Sequence, residues 1–93
     1  MLLEITNYNN RYTIKGALNK LNLNTFNNLF SNVFEKNDAI IIDIEKVENI
    51  DRHGVMALAK LHNESIVKEK KLSIIGLGCK ELYDHFKSEE TAA

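Results

Sequence analysis

Apolar and polar residues alternate through Leu3, Glu4, Ile5 and Thr6 and again through Tyr12, Thr13, Ile14 and Lys15. That period of two places successive side chains on opposite faces of a strand, and the polar residues 7–10 between the two runs predict a hairpin. Gly16 is expected to end the second strand. Residues 17–22 then form a connection in which Leu18 and Leu21 tuck against the core. The period lengthens at Leu23, Phe26, Phe30, Val33 and Phe34, an aromatic-rich stripe at helical spacing that Asn22 or Asn24 can cap and Asn37-Asp38 stops.

Ala39, Ile40, Ile41, Ile42 and Ile44 follow as a nearly unbroken β-branched run, the pattern of a central strand covered on both faces by helices. Residues 45–49 are polar apart from Val47 and predict a turn. Asp51 then stands where a carboxylate can accept the free N–H groups of a new helix, from Arg52 to about Lys68. Val55, Leu58, Ala59, His62 and Ile66 share its buried face, which leaves Arg52, His53 and Gly54 in an exposed first turn. The charged residues 68–71 end it. Leu72, Ile74 and Ile75 make a further strand, and Gly76-Leu77-Gly78 opens a last helix on which Cys79, Leu82, Tyr83 and Phe86 lie together. The order is ββαβαβα. Helical crossovers between strands require parallel pairing, so the chain is expected to fold as α/β, a mixed four-stranded sheet packed with three helices. The domain should span residues 1–87, with the unanchored SEETAA at 88–93 frayed.

Composition narrows the function more than the fold. Ninety-three residues, 44% hydrophobic and 27% charged, suffice for one domain and not for two. A net charge of −1 and a pI near 6.3 provide no basic field for phosphate backbones, so nucleic acid is not an expected partner. No apolar run approaches the roughly 20 residues of a membrane span, and the first residues lack a signal-peptide pattern. Cys79 has no second cysteine to pair with, which fits the reducing cytoplasm.

Candidate chemistry is sparse. Gly76-Leu77-Gly78-Cys79-Lys80 sits after a strand and before a helix, where phosphates bind, but Glu81 stands where a dinucleotide fingerprint needs glycine. Cys79 beside Lys80 could be activated, yet its place with Leu82 and Phe86 makes it a core residue. His53, His62 and His85 include no pair at the four-residue spacing of helical zinc ligands, so no metal is expected. His62 reads as a core histidine and Asp84-His85 as surface. Asp43 interrupts the isoleucines near the carboxyl end of the central strand, where open parallel sheets hold ligands, and with Gly76 and Gly78 it outlines a possible ligand crevice. Its simpler role is to accept loop hydrogen bonds. No nucleophile, base and oxyanion hole come together, so no enzyme activity, catalytic residue or cofactor is expected.

From Ile40 through Asp43, Val47 and Ile50 to Asp51-Arg52-His53-Gly54, the chain resembles the STAS domain, the fold of bacterial anti-sigma factor antagonists and of sulfate-transporter tails. The hairpin, the helix from Leu23, the strand at Leu72 and the helix after Gly78 arrive in that family's order. The resemblance implies a non-enzymatic signalling module that binds a GHKL-type anti-sigma kinase or a related regulatory protein. In the antagonists the turn reads Asp-Ser-Ser/Thr-Gly and is switched by phosphate. Asp51 and Gly54 match, whereas Arg52 and His53 replace the hydroxyl residues. A serine phosphate would add roughly −1.5 to −2 charge at a helix N-terminus. Arg52 instead adds a permanent positive charge suited to an acidic partner. Asp51, Arg52, His53, Gly54 and Met56 are therefore the expected partner-binding residues, without the serine switch. A small-ligand or transport-complex role through Asp43 and Gly76 is the alternative, and a monomer or weak homodimer, with Met56 and Val67 as apolar surface, is the expected state.

Overall fold

The alternating runs near the N-terminus form a hairpin in the computed structural model, which describes residues 2–76. Strands β1 (Leu3–Tyr8) and β2 (Arg11–Leu18) pair antiparallel through the two-residue turn Asn9-Asn10, so the loop is tighter than its polar sequence suggests. Asn9 takes the left-handed conformation there, which asparagine tolerates better than most residues. Asn10 ties the turn to the next strand. Its side-chain amide donates to the Ala39 carbonyl at 2.9 Å, and its own carbonyl accepts from the Ile41 N–H at 2.9 Å.

Gly16 does not end β2. It lies within the strand with φ 94°, pressed against the Leu2 carbonyl where a Cβ has no room, so the strand runs on to the buried Leu18. The expected helix from Leu23 is broken into α1 (Leu23–Phe30) and α2 (Val33–Lys36), with Ser31-Asn32 between them. The apolar stripe survives the break, since Phe26, Phe30, Val33 and Phe34 are all buried. Neither Asn22 nor Asn24 caps α1 with its side chain. Asn37 instead closes α2, its backbone N–H reaching the Val33 carbonyl.

Strand β3 (Ala39–Ile50) is twice as long as the isoleucine run, because residues 45–49 continue the ladder rather than turn. A bulge makes this possible. Thr13 faces Asp43 but Lys15 faces Lys46, so β3 carries an extra residue at 44–45, and the Glu45 N–H is taken up by Asp43 Oδ1 at 2.9 Å. Beyond the bulge Val47 points inward, and the polar residues around it stay wet where β3 runs on past the end of β4. After α3 (Arg52–Val67) the chain returns as β4 (Lys71–Ile75), and the sheet has the order β1-β2-β3-β4 with both later pairs parallel. This is an α/β arrangement on a mixed four-stranded sheet with two helical regions, the first of them split. The expected third helix after Gly78 and the tail at 88–93 lie outside the described residues.

Among the described residues the helices cover one face of the sheet only. Tyr12, Ile14, Ile40, Ile42 and Ile44 meet Phe26, Phe30, Val55, Leu58 and Leu61 in a single core. The opposite face carries Arg11, Thr13, Ile41, Asp43, Ser73 and Ile75, and none of the described helices packs on it. On that face the neighbours of β3 include the polar Arg11, Thr13 and Ser73.

Candidate functional site

Two segments, brought together by one carboxylate, build the exposed turn. Asp51 is the N-cap of α3, its Oδ1 accepting from the Gly54 N–H at 3.0 Å, as the position of the residue before an apolar helix requires. The second oxygen does different work. Oδ2 accepts from the Lys20 N–H at 3.0 Å, and the Asp51 N–H donates to the Leu18 carbonyl at 3.3 Å. Asp51 thus fastens the start of α3 to the 3-10 turn Lys20–Asn22 that follows β2. That turn is itself locked. Asn19 Oδ1 accepts from the N–H groups of Leu21 and Asn22, while the Asn22 side chain accepts from the Asn19 N–H at 2.9 Å and donates to the Ala17 carbonyl at 2.6 Å.

The clamp fixes what surrounds it. Arg52 and His53 are exposed, and Met56, one helical turn on, is 54% exposed. On the other segment Lys20 is exposed and Leu21 is 94% exposed. Leu21 is therefore not a core residue. Leu18 alone of the two fills the core. Lys20 and Leu21 were missed as surface because two leucines three residues apart read as one buried pair. The reciprocal Asn19 and Asn22 spacing was the available signal for a rigid turn.

Gly54 is buried, not part of the exposed turn. A Cβ there would collide with the Leu18 carbonyl oxygen and lie 2.8 Å from Ile50 Cγ1, so glycine lets α3 begin against the end of β2. The buried face of α3 is also rotated from the expected one. It runs through Gly54, Val55, Leu58, Leu61 and Ser65, while Ile66 is exposed and His62 half-buried. Ser65 is small enough to face the sheet, and its hydroxyl donates to the His62 carbonyl.

The second expected site is an internal brace. Asp43 is buried, and besides the Glu45 N–H it accepts from Arg11 Nη2 at 2.8 Å, a diagonal cross-strand ion pair on the sheet face away from the described helices. Gly76 does come close, its α-carbon packed against the Glu45 backbone where a Cβ would stand 2.5 Å from the amide nitrogen. Asp43 and Gly76 thus meet around the bulge, but the carboxylate is engaged by the chain itself. Gly78 lies outside the described residues. Neither the groove between α1 and α3, about 590 Å³, nor the smaller hollow beside β1 is lined by Asp43 or Gly76. Among the described residues no cluster of three His, Cys, Asp or Glu could hold a metal ion, and no helix is long and apolar enough to cross a membrane.

Both carboxylates are held below the ordinary aspartate range. For Asp43 the Glu45 N–H contributes most, then the Arg11 hydrogen bond, against the opposing effect of burial. For Asp51 desolvation pushes the other way, but the N–H groups of Gly54 and Lys20 and the charge of His53 together outweigh it. The unfolded chain therefore binds protons that the native state resists. The stabilisation is complete above the unfolded value near 3.9 and is lost as pH falls through the lower native values. Urea midpoints measured at pH 7, 4.5 and 3 are expected to be similar at the first two and clearly lower at pH 3. An unchanged midpoint at pH 3 would mean that the carboxylates are not clamped as described.

With this geometry in place, the family model of the STAS domain matches residues 3–85. The chain is a STAS domain. Solved structures share its fold: an anti-sigma factor antagonist from Mycobacterium paratuberculosis superposes with a TM-score of 0.71 at 16% identity, covering 98% of this chain and 80% of that one. The anti-sigma factor antagonist SpoIIAA in its unphosphorylated form gives 0.61 at 12% identity, over 92% of this STAS domain and 98% of SpoIIAA. A third structure, Mglu, gives 0.61 at 10% identity over 76% of this chain, which spans only 18% of that protein's length. No curated protein sequence matches significantly. At these identities the structural likenesses establish the fold, and the STAS domain's own turn residues carry the functional argument.

Proposed function

We infer that this STAS domain is a non-enzymatic regulatory module of the bacterial cytoplasm that docks a partner protein through the turn at the start of α3. The observation that carries the reading is the pair of exposed apolar side chains, Leu21 and Met56, set beside Arg52, His53 and Lys20 around a single clamping carboxylate. Exposed apolar side chains among charged ones suit a docking patch, and the charged side chains named here are basic. Its complement is an acidic surface on a GHKL-type anti-sigma kinase or a related regulator of transcription. Asp51 supports the patch and Gly54 lets α3 approach the sheet. Because positions 52 and 53 carry no hydroxyl, the turn docks without a serine phosphate switch.

Arg52→Glu tests this. The side chain is exposed, and an acidic residue suits a helix N-terminus better than a cation, so the fold is expected to be unharmed. Titration calorimetry with a GHKL-type anti-sigma kinase from the same genome is expected to show affinity at least about tenfold weaker than wild type, a loss of about 1.4 kcal/mol. Equal affinity of the two proteins would place the interface elsewhere.

A further inference from the structure

β1 lies at one edge of the sheet, and among the described residues its hydrogen-bonded neighbour is β2 alone. The Ala17 N–H donates to the Leu2 carbonyl at 3.2 Å, which fixes the alternation of the ladder. Glu4, Thr6 and Tyr8 exchange bonds with Lys15, Thr13 and Arg11, whereas the N–H and C=O groups of Leu3, Ile5 and Asn7 point away from the sheet. The strand has no lysine, proline or bulge of the kind that usually guards such an edge. Leu2 just before the strand and Tyr8 at its end are exposed, at 83% and 80%, both on the face away from the described helices.

We propose that this edge pairs with the same edge of a second copy of the chain, antiparallel about a two-fold axis at Ile5, joining two sheets into one of eight strands. The outward backbone groups then face each other, with Leu3 opposite the partner's Asn7 and Ile5 opposite the partner's Ile5, for about six new hydrogen bonds. The side chains select this register. Leu2 meets the partner's Tyr8 twice over, and Glu4 meets the partner's Thr6. Centring the axis on Glu4 would oppose two carboxylates, and centring it on Thr6 would leave Leu2 uncovered. A hollow of about 190 Å³ beside Leu2, lined also by Glu4, Lys15, Gly16 and Glu48, lies on the same face and receives the partner's Tyr8. The proposal uses none of the residues of the docking turn and stands independently of it.

Sedimentation of the full chain from about 5 to 500 µM is expected to show monomer passing to dimer with concentration. Asn7→Pro removes an N–H that faces outward, so it spares the ladder to β2 and is expected to leave the far-ultraviolet circular dichroism unchanged while keeping the protein monomeric. In a Cys79→Ser background, Leu2→Cys mixed with Tyr8→Cys is expected to oxidise to a cross-linked heterodimer. Either variant alone stays uncross-linked, because only the mixed pair brings α-carbons within about 4.5 Å. A monomer throughout the wild-type range overturns the proposal, as does a dimer that Asn7→Pro leaves intact. Should Asn7→Pro fail to fold, the cysteine mixture decides alone, and absence of the heterodimer counts against the pairing.

Discussion

Truncating Phe30 to alanine is expected to remove about 3–5 kcal/mol of folding stability. The ring is buried between α1 and β2, its centroid 5.0 Å from that of Tyr12 on β2 and 4.7 Å from that of Phe26 one turn earlier on α1. Both contacts are tilted, the geometry in which aromatic pairs add to simple burial. Relaxation is limited on every side: Tyr12 is fixed in the β2 ladder, and the chain breaks direction at Ser31-Asn32 directly after the ring. Domains of this size hold only about 5–15 kcal/mol in total, so the melting temperature is expected to fall by about 15–30 °C. The consequence reaches the proposed docking turn, because α1 begins where the 3-10 turn carrying Lys20 and Leu21 ends. Thermal unfolding followed by circular dichroism measures the effect. A fall of only a few degrees would mean that the helical layer is not anchored through this ring.

Gly54→Ala is the second large effect, and two opposing terms decide its sign. Alanine favours a helix over glycine by about 1 kcal/mol. Against that, the added methyl meets the Leu18 carbonyl oxygen, a backbone atom that already accepts the Asp51 N–H and cannot swing aside as a side chain could. Overpacking of this kind costs typically 1–3 kcal/mol, and a rigid backbone neighbour places it at the upper end, so a net destabilisation of about 2 kcal/mol is expected. It should arise locally, by lifting the first turn of α3 and weakening the Asp51 bridge to Lys20. Urea denaturation gives the stability, and amide exchange at Gly54 and Lys20 reports the loosened clamp. A neutral or stabilising substitution would show that α3 is not pressed against β2.

Much of this architecture was legible in the residues because local chemistry and tertiary contact agree there. Asp51 stands directly before an apolar helix, and it caps that helix. The two alternating runs have one plausible pairing, and the aromatic stripe keeps its buried face even across the break between α1 and α2. The misreadings share a cause: a neighbour elsewhere in the fold overrode the local pattern. Residues 45–49 look like a turn until Asp43 takes up the Glu45 N–H and β2 supplies a partner as far as Leu18. The isoleucine run hides its alternation until it is set beside β2, whose Arg11 and Thr13 share with Ile41 and Asp43 the face away from the described helices. Arg11 could not be found as the partner of Asp43, since 32 positions separate them and only the register makes them neighbours. Gly54 was legible as a turn glycine, but its collision with Leu18 depends on how closely two elements approach, which no local pattern encodes.

The proposed docking patch is tested most directly by an amide NMR titration of the isotope-labelled protein with a purified GHKL-type anti-sigma kinase. Signals of Lys20, Leu21, Arg52, His53 and Met56 are expected to shift or broaden first, with β1 and Gly76 unaffected. Saturation with those five signals unmoved, or with the changes centred on Asp43 and Gly76, would contradict the account.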